Sequence, residues 1–209
     1  MPGGSEQKTT PLLTRFQAGD LDALVELLND PSISEFTTVP HPYTRGNARE
    51  WMRFVNQTTR KHGETRQFAI RHNNLLAGGF DFRRLQKNHK GEIGYWLGSS
   101  FRGLGIMTEV VDAACQYARR HWELERIEAF VYPHNQASIR VLERCGFSKE
   151  GLLRKYYRRN EDLVDTLLFA RTFYIRAFST SQEQIAPSWN QDRVEKPSWK
   201  PPILFIERS

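Results

Sequence analysis

The sequence predicts an α/β domain over residues 10–178, and three observations carry that expectation. Some stretches alternate in polarity or run apolar at strand length, while others repeat apolar residues at helical spacing. Their order along the chain is β-α-α-β-β-β-α-β-α-β-β. The run FRGLGIMTEVV at 101–111 then sets two glycines between an aromatic strand and an amphipathic helix, a turn of bare backbone.

Taken in order, LLTRF (12–16) is a short strand. Asp20 is placed to cap a helix with Leu21, Leu24, Val25 and Leu28 on one side, and Asp30-Pro31 stops it. FTTVPHPYT (36–44) reads as a proline-punctuated loop. Asn47 with Glu50 reads as the capping box of a second helix, which carries Ala48, Trp51, Met52 and Val55 to an end at Gly63. RQFAIR (66–71) and LLAGGFDFRRL (75–85) form a hairpin across Asn73 and Asn74. Phe68, Phe80 and Phe82, like Trp51, fall on apolar periodic faces and are assigned to the core. A basic loop leads to the strand EIGYWLG (92–98). Beyond the glycines, Met107, Val110, Val111, Ala114 and Ala118 mark a helix. RIEAFVY (126–132) is a strand, and NQASIRVLERC (135–145) a helix closed by Gly146. The stretches 147–159 and 162–173 are the last two strands.

A chain of 209 residues with 39% hydrophobic content holds one globular domain and tails. Residues 1–9 read as a flexible N-terminus, and 179–209 as a polar, proline-containing tail in which PSW occurs twice. No apolar run reaches membrane-spanning length and no signal-peptide core opens the chain, so a soluble cytoplasmic protein is expected. Cys115 and Cys145 form no CxxC and read as reduced thiols. The histidines, His41 and His134 among them, show no metal-ligand spacing. A net charge of +6 favours anionic partners. The basic run RKYYRRNE (154–161) is either an RNA-contacting strand or a solvated hairpin face. Oligomeric state is left open.

A helix start offers unpaired N–H groups and a partial positive charge, so a glycine turn there suits a phosphate or pyrophosphate. A nucleotide-triphosphate loop requires Gly-Lys-Ser/Thr where Ile106, Met107 and Thr108 stand, and a dinucleotide fingerprint requires a third glycine at position 108. RGLGIM (102–107) resembles instead the Arg/Gln-x-x-Gly-x-Gly/Ala pyrophosphate loop of the GNAT family of N-acetyltransferases. The resemblance extends over roughly residues 10–175. GYWLG followed by RGLGIMTE, the N-x-x-S stretch from Asn135 to Ser138, the VLERCGF ending, the EG after it and the VD of the last strand are similar to the RimJ/RimL-type subgroup. That subgroup acetylates N-terminal amines of ribosomal proteins. Two positions depart from the family pattern: Met107 fills the sixth loop position, and Leu142 stands where many members place a tyrosine.

The resemblance implies a GNAT-like fold, a mixed and mostly antiparallel central sheet with flanking helices. In it, the strands corresponding to 92–98 and 126–132 splay to admit the pantetheine arm of acetyl-CoA. It implies N–H donors for that arm near Trp96 and Leu97, and a pyrophosphate on the amides of Arg102, Gly103, Leu104, Gly105, Ile106 and Met107. It further implies Asn135 on the pantetheine and Ser138 near the sulfur as proton donor or relay. Asn135 is also a helix N-cap by residue type and place. Glu92 is either a base acting through water or a solvated strand end. The function implied is acetyl-CoA-dependent acetylation of a protein or peptide N-terminal α-amine, a ribosomal protein among the candidates. A small-amine or antibiotic acetyltransferase, and a non-catalytic ribosome- or RNA-associated module on the same fold, are the alternatives.

Overall fold

Left-handed residues punctuate this chain where its turns were expected: Gly63 at φ 69°, Asn73 at 51°, Asn74 at 65° and Gly146 at 75°. The computed structural model describes residues 10–159, 161–173 and 205–206. Its elements are β1 (Leu12–Thr14), α1 (Leu21–Leu28), α2 (Pro31–Phe36), α3 (Arg45–His62), β2 (Gln67–His72), β3 (Leu75–Gln86) and β4 (Lys90–Leu97). They continue with α4 (Ile106–His121), β5 (Arg126–Val131), α5 (Gln136–Arg144), β6 (Ser148–Arg159), β7 (Asp162–Thr172) and β8 (Phe205–Ile206). One sheet runs β6-β7-β5-β4-β3-β2-β1-β8. It is antiparallel except at β4–β5 and β1–β8. The mixed, mostly antiparallel GNAT-like order is therefore present, with α2 added. The expected flexible segment 1–9 lies outside the described residues, as does the tail 179–209 apart from β8, which pairs with Leu13 and Thr14.

Three departures from expectation concern the starts of helices. Asp30-Pro31 does not only end α1. The Asp30 carboxylate accepts from the Ser32 N–H at 2.9 Å and the Ser32 hydroxyl at 2.6 Å, with Pro31 first in the helix, so the same dipeptide starts α2. Thr44, not Asn47, caps α3: its Oγ1 accepts from the Asn47 N–H at 3.2 Å, and Asn47 Oδ1 accepts from the Thr44 N–H at 2.8 Å. The reciprocal box is real but lies three residues upstream of the expected one. Asp20 does not cap α1 through its side chain; its carboxylate accepts from the Gln17 N–H at 2.7 Å, one turn upstream, and grips Arg71 of β2 through two 2.7 Å bonds.

Strand alternation then sorts the core onto both faces of the sheet. Phe68 and Ile70 face α4, whose Val110, Val111, Ala114 and Ala118 are buried, while Ala69 between them faces α1 and α3 with Leu24, Leu28 and Val55. Small residues on α4 let it lie close over the aromatic set. Phe82 and Trp122 meet edge to face at 4.8 Å, and burying a side chain such as Phe82 is worth roughly 1.5–3 kcal/mol. Phe68, Phe80 and Phe82 are core as expected, whereas Trp51 is only half-buried and faces the cleft described next.

Candidate active site

β4 carries the site because its two neighbours treat it differently. It pairs with β3 from Lys90 to Leu97, but with β5 only from Lys90↔Arg126 to Ile93↔Ala129. From Gly94 onward β4 and β5 part. The Gly98 N–H donates to the Ala77 carbonyl at 2.9 Å, and backbone groups alternate sides along a strand. Tyr95 and Leu97 therefore turn their N–H groups into the gap, and Trp96 turns its own toward β3. This replaces Trp96 with Tyr95 in the expected donor pair. The Trp96 indole instead lies across Gly79, where a Cβ would come within 2.4 Å of Nε1. The gap opens into a cleft of about 970 Å³ lined by β4, β5, α2, α3 and the starts of α4 and α5.

At the open end of the gap stands the glycine turn. Gly103 and Gly105 adopt φ 79° and 80°, and a Cβ on either would meet nothing within 4 Å. Both glycines are thus required by backbone shape, and they leave the space above them clear. Gly105 precedes α4 with no side-chain cap, so the first-turn N–H groups of Ile106, Met107 and Thr108 have no intrahelical partner. The Ile106 and Met107 side chains are buried and fasten this turn to the core, while Leu104 is exposed at the lip. The Arg102 guanidinium does not stand free over the loop. It donates to the Leu97 carbonyl at 3.1 Å, to Ser32 Oγ at 2.8 Å and to Asp30 at 3.3 Å. Hydrogen bonding from Ser32 holds Asp30 below the usual carboxylate range, with Arg102 helping.

On the wall formed by α5, Asn135 Oδ1 accepts from the Ser138 N–H at 3.1 Å, the N-cap expected of it. Ser138 Oγ lies 2.7 Å from the Tyr95 hydroxyl. Burial pushes the Tyr95 phenol well up, so it stays protonated. Leu142, standing at the tyrosine position, is fully buried and contributes only packing. Both cysteines are buried, and burial raises their thiols, Cys145 to about 11. Neither is a nucleophile at neutral pH.

Where β4 and β5 are still joined, the cleft ends in two ion pairs that sequence reading did not foresee. Glu92 is 5% exposed and bound by Arg84 Nη1 at 3.0 Å, so it is no solvated strand end. Burial pushes its carboxyl up, against the pull of Arg84 and Arg83. Asp81 accepts from Arg83 through Nε and, at 3.0 Å, through Nη2. Gly94 makes room for that pair, since a Cβ there would fall 2.6 Å from Arg83 Nη2. Arg84 sits at φ 45° beside a register shift in β3. A second shift, in β6, has Lys155 at φ 51° with its N–H donating to Asp165 at 2.8 Å. There Tyr156 and Tyr157 both pack on Phe130. Burial, then the charge of Glu92, pushes Tyr157 up to about 12. The sequence signals available were the acidic and basic alternation of FDFRRL and the glycine at 94.

The arrangement offers an anion seat at one end, an unpaired strand edge for an extended amide chain, a buried hydroxyl pair beside it, and paired charges at the other end. Residues 12–148 match the family model described as the acetyltransferase (GNAT) domain. An N-acetyltransferase of Bacillus licheniformis named p20, itself uncharacterized, is 32% identical over 162 residues, 76% of this chain and 90% of its own length. Among solved structures, RimL, a ribosomal-protein α-N-acetyltransferase in complex with coenzyme A, superposes with a TM-score of 0.69 at 26% identity, covering 78% of this chain and 94% of RimL. A spermidine N-acetyltransferase from Vibrio cholerae, at 20% identity, TM-score 0.65 and coverage of 78% and 95%, shares the fold. Among the described residues no helix is long and apolar enough to cross a membrane.

Proposed function

This chain belongs to the GNAT family of acetyltransferases, and we propose that it moves an acetyl group from acetyl-CoA to the N-terminal α-amine of a protein or peptide. Residues 10–178 form the catalytic unit in this reading, and 179–209 a tail. The observation that carries it is the β4–β5 ladder, which opens at Gly94 and runs into the uncapped start of α4. An extended ligand ending in a diphosphate fits that path. Acetyl-CoA supplies the acyl group as a thioester; the chain supplies orientation and proton handling.

The amides of Arg102 to Met107 receive the diphosphate, where the helix start favours negative charge. The Arg102 side chain acts from the side, holding this turn to α2. N–H groups of Tyr95 and Leu97 take amide and carbonyl oxygens in the gap. Asn135 braces the first turn of α5 beside the pantetheine. Ser138 protonates the departing sulfur. Because a phenol is a better donor than an aliphatic hydroxyl, Tyr95 donates to Ser138 Oγ, and the serine proton is left pointing elsewhere. Glu92 takes the amine proton through water. An α-amine, with a reference pKa of about 8 against about 10.4 for lysine, asks less of such a base.

The protein acceptor is supported by RimL, which acts on a ribosomal protein. Calorimetry with acetyl-CoA and a CoA-release assay on free-N-terminus peptides and spermidine test the reading together. Acetyl-CoA binding with turnover of peptides is expected. No binding at millimolar ligand would overturn the enzyme reading, and turnover of spermidine alone would overturn the acceptor.

A further inference from the structure

We infer that the acceptor carries a carboxylate within the first few residues after its reacting amine, recognised by Arg83 and Arg84; this rests on the N-terminal acetyltransferase reading. The closed end of the cleft contains two carboxylates, yet the larger exposed surface belongs to their arginine partners. The Glu92 side chain is 6% exposed against 65% for Arg84, and that of Asp81 is 14% exposed against 56% for Arg83. Each carboxylate serves as a buried anchor, and each guanidinium is the face presented.

The donor inventory agrees. A guanidinium has five N–H donors in a planar fork and accepts nothing. Arg83 uses Nε and Nη2 on Asp81, leaving Nη1 without a partner among the described residues. Arg84 uses Nη1 on Glu92, and Tyr156 also reaches it. Donors remain on both for an incoming carboxylate, to which Arg binds in fork geometry.

Two local irregularities hold these side chains where they are. Gly94 is the residue that lets the Asp81–Arg83 pair lie across β4. Arg84 is held in the left-handed region, which is costly for a side-chain-bearing residue and persists where surroundings enforce it. Position matters as much as charge. Arg84 is bound to Glu92, two residues before Gly94, where the gap begins, and the glycine turn is at the other end. An amine that meets the donor in the gap brings its following residues to this end. Tyr157 of the β6–β7 hairpin lines the same end. A polyamine or lysine-rich segment would meet like charge there, whereas an acidic N-terminal segment would be drawn in.

The test measures CoA release by the full chain at saturating acetyl-CoA, using octapeptides that differ only in Glu, Gln or Lys after the first residue. Free glutamate and spermidine are further arms, the former to separate a small carboxylate from a peptide one. The expected kcat/KM falls in the order Glu, Gln, Lys by about tenfold per step at low salt, and the spread narrows as salt screens the charges. Arg83→Gln and Arg84→Gln each shrink the Glu-to-Gln ratio. Equal rates, a preference for Lys, free glutamate matching the Glu peptide, or a Glu preference that both variants retain would overturn the inference while leaving N-terminal acetylation standing. Spermidine turnover without peptide turnover would overturn the inference and the acceptor reading together. If either variant fails to fold, the salt dependence of the wild-type preference decides.

Discussion

Two helices begin at this cleft, and they begin differently. α5 starts conventionally, with the Asn135 side chain accepting the Ser138 N–H. α4 starts on a left-handed glycine with no side-chain cap at all. A capped start is complete by itself, whereas an uncapped one is completed by whatever anion arrives. The difference divides the work. In the proposed reaction the start of α4 receives charge, and that of α5 is a mount that aims one hydroxyl.

The largest effect that would break this division falls on the mount. Ser138→Ala should lower kcat by about a hundredfold to ten-thousandfold with little change in acetyl-CoA affinity, as loss of a proton donor does. Tyr95→Phe should lower kcat less, and the double variant should be no slower than Ser138→Ala, because the phenol acts only through the serine. Steady-state kinetics on the three proteins checks both; additive losses would detach Tyr95 from Ser138.

Next comes the receptor. Gly105→Val puts a branched side chain at φ 80°, where a left-handed backbone costs about 1–2 kcal/mol. It also fills the space above the α4 amides. Acetyl-CoA affinity by calorimetry should drop at least about tenfold, more than the drop in thermal stability accounts for. Asn135→Ala should show the opposite balance, losing about 1 kcal/mol of stability, read as a melting shift of about 2–4 °C. Asn135→Gly, which makes α5 start as α4 does, should cost only a few tenths of a kcal/mol.

The smallest effect is a displacement along the pH axis. In the proposed reaction Glu92 acts deprotonated, and burial places its pKa above the ordinary glutamate value. Activity should therefore fall as pH drops through that raised value. Arg84 pulls it downward, so Arg84→Gln should move the acid limb of kcat/KM to higher pH. An unmoved limb would assign the limb to another group.

What could be read from sequence follows the range of each interaction. The glycine turn, the Asn135 cap and the alternation of β2 and β3 are set by residues a few positions apart, and each stands where spacing put it. Tyr95 meets Ser138 across 43 residues and Arg102 meets Asp30 across 72, and no periodicity encodes such meetings. Sequence left Glu92 open between a base and a solvated strand end, because burial at the start of β4 depends on the register shift that brings Arg84 over it. Asp30-Pro31 reads as a stop, and its second role as the start of α2 appears only with the Asp30–Ser32 hydrogen bonds of the folded chain.

The half-closed ladder also bears on solubility. An unpaired strand edge invites other strands, and proteins ordinarily shield their outer edges against such association. Here the bare edge of β4 lies inside the sheet, with β5 diverging opposite it. A second folded copy brings a whole sheet and is too broad for such a slot, whereas a single extended ligand enters. The edge of β4 thus keeps a strand's capacity for hydrogen bonds in a place where another sheet cannot pair with it.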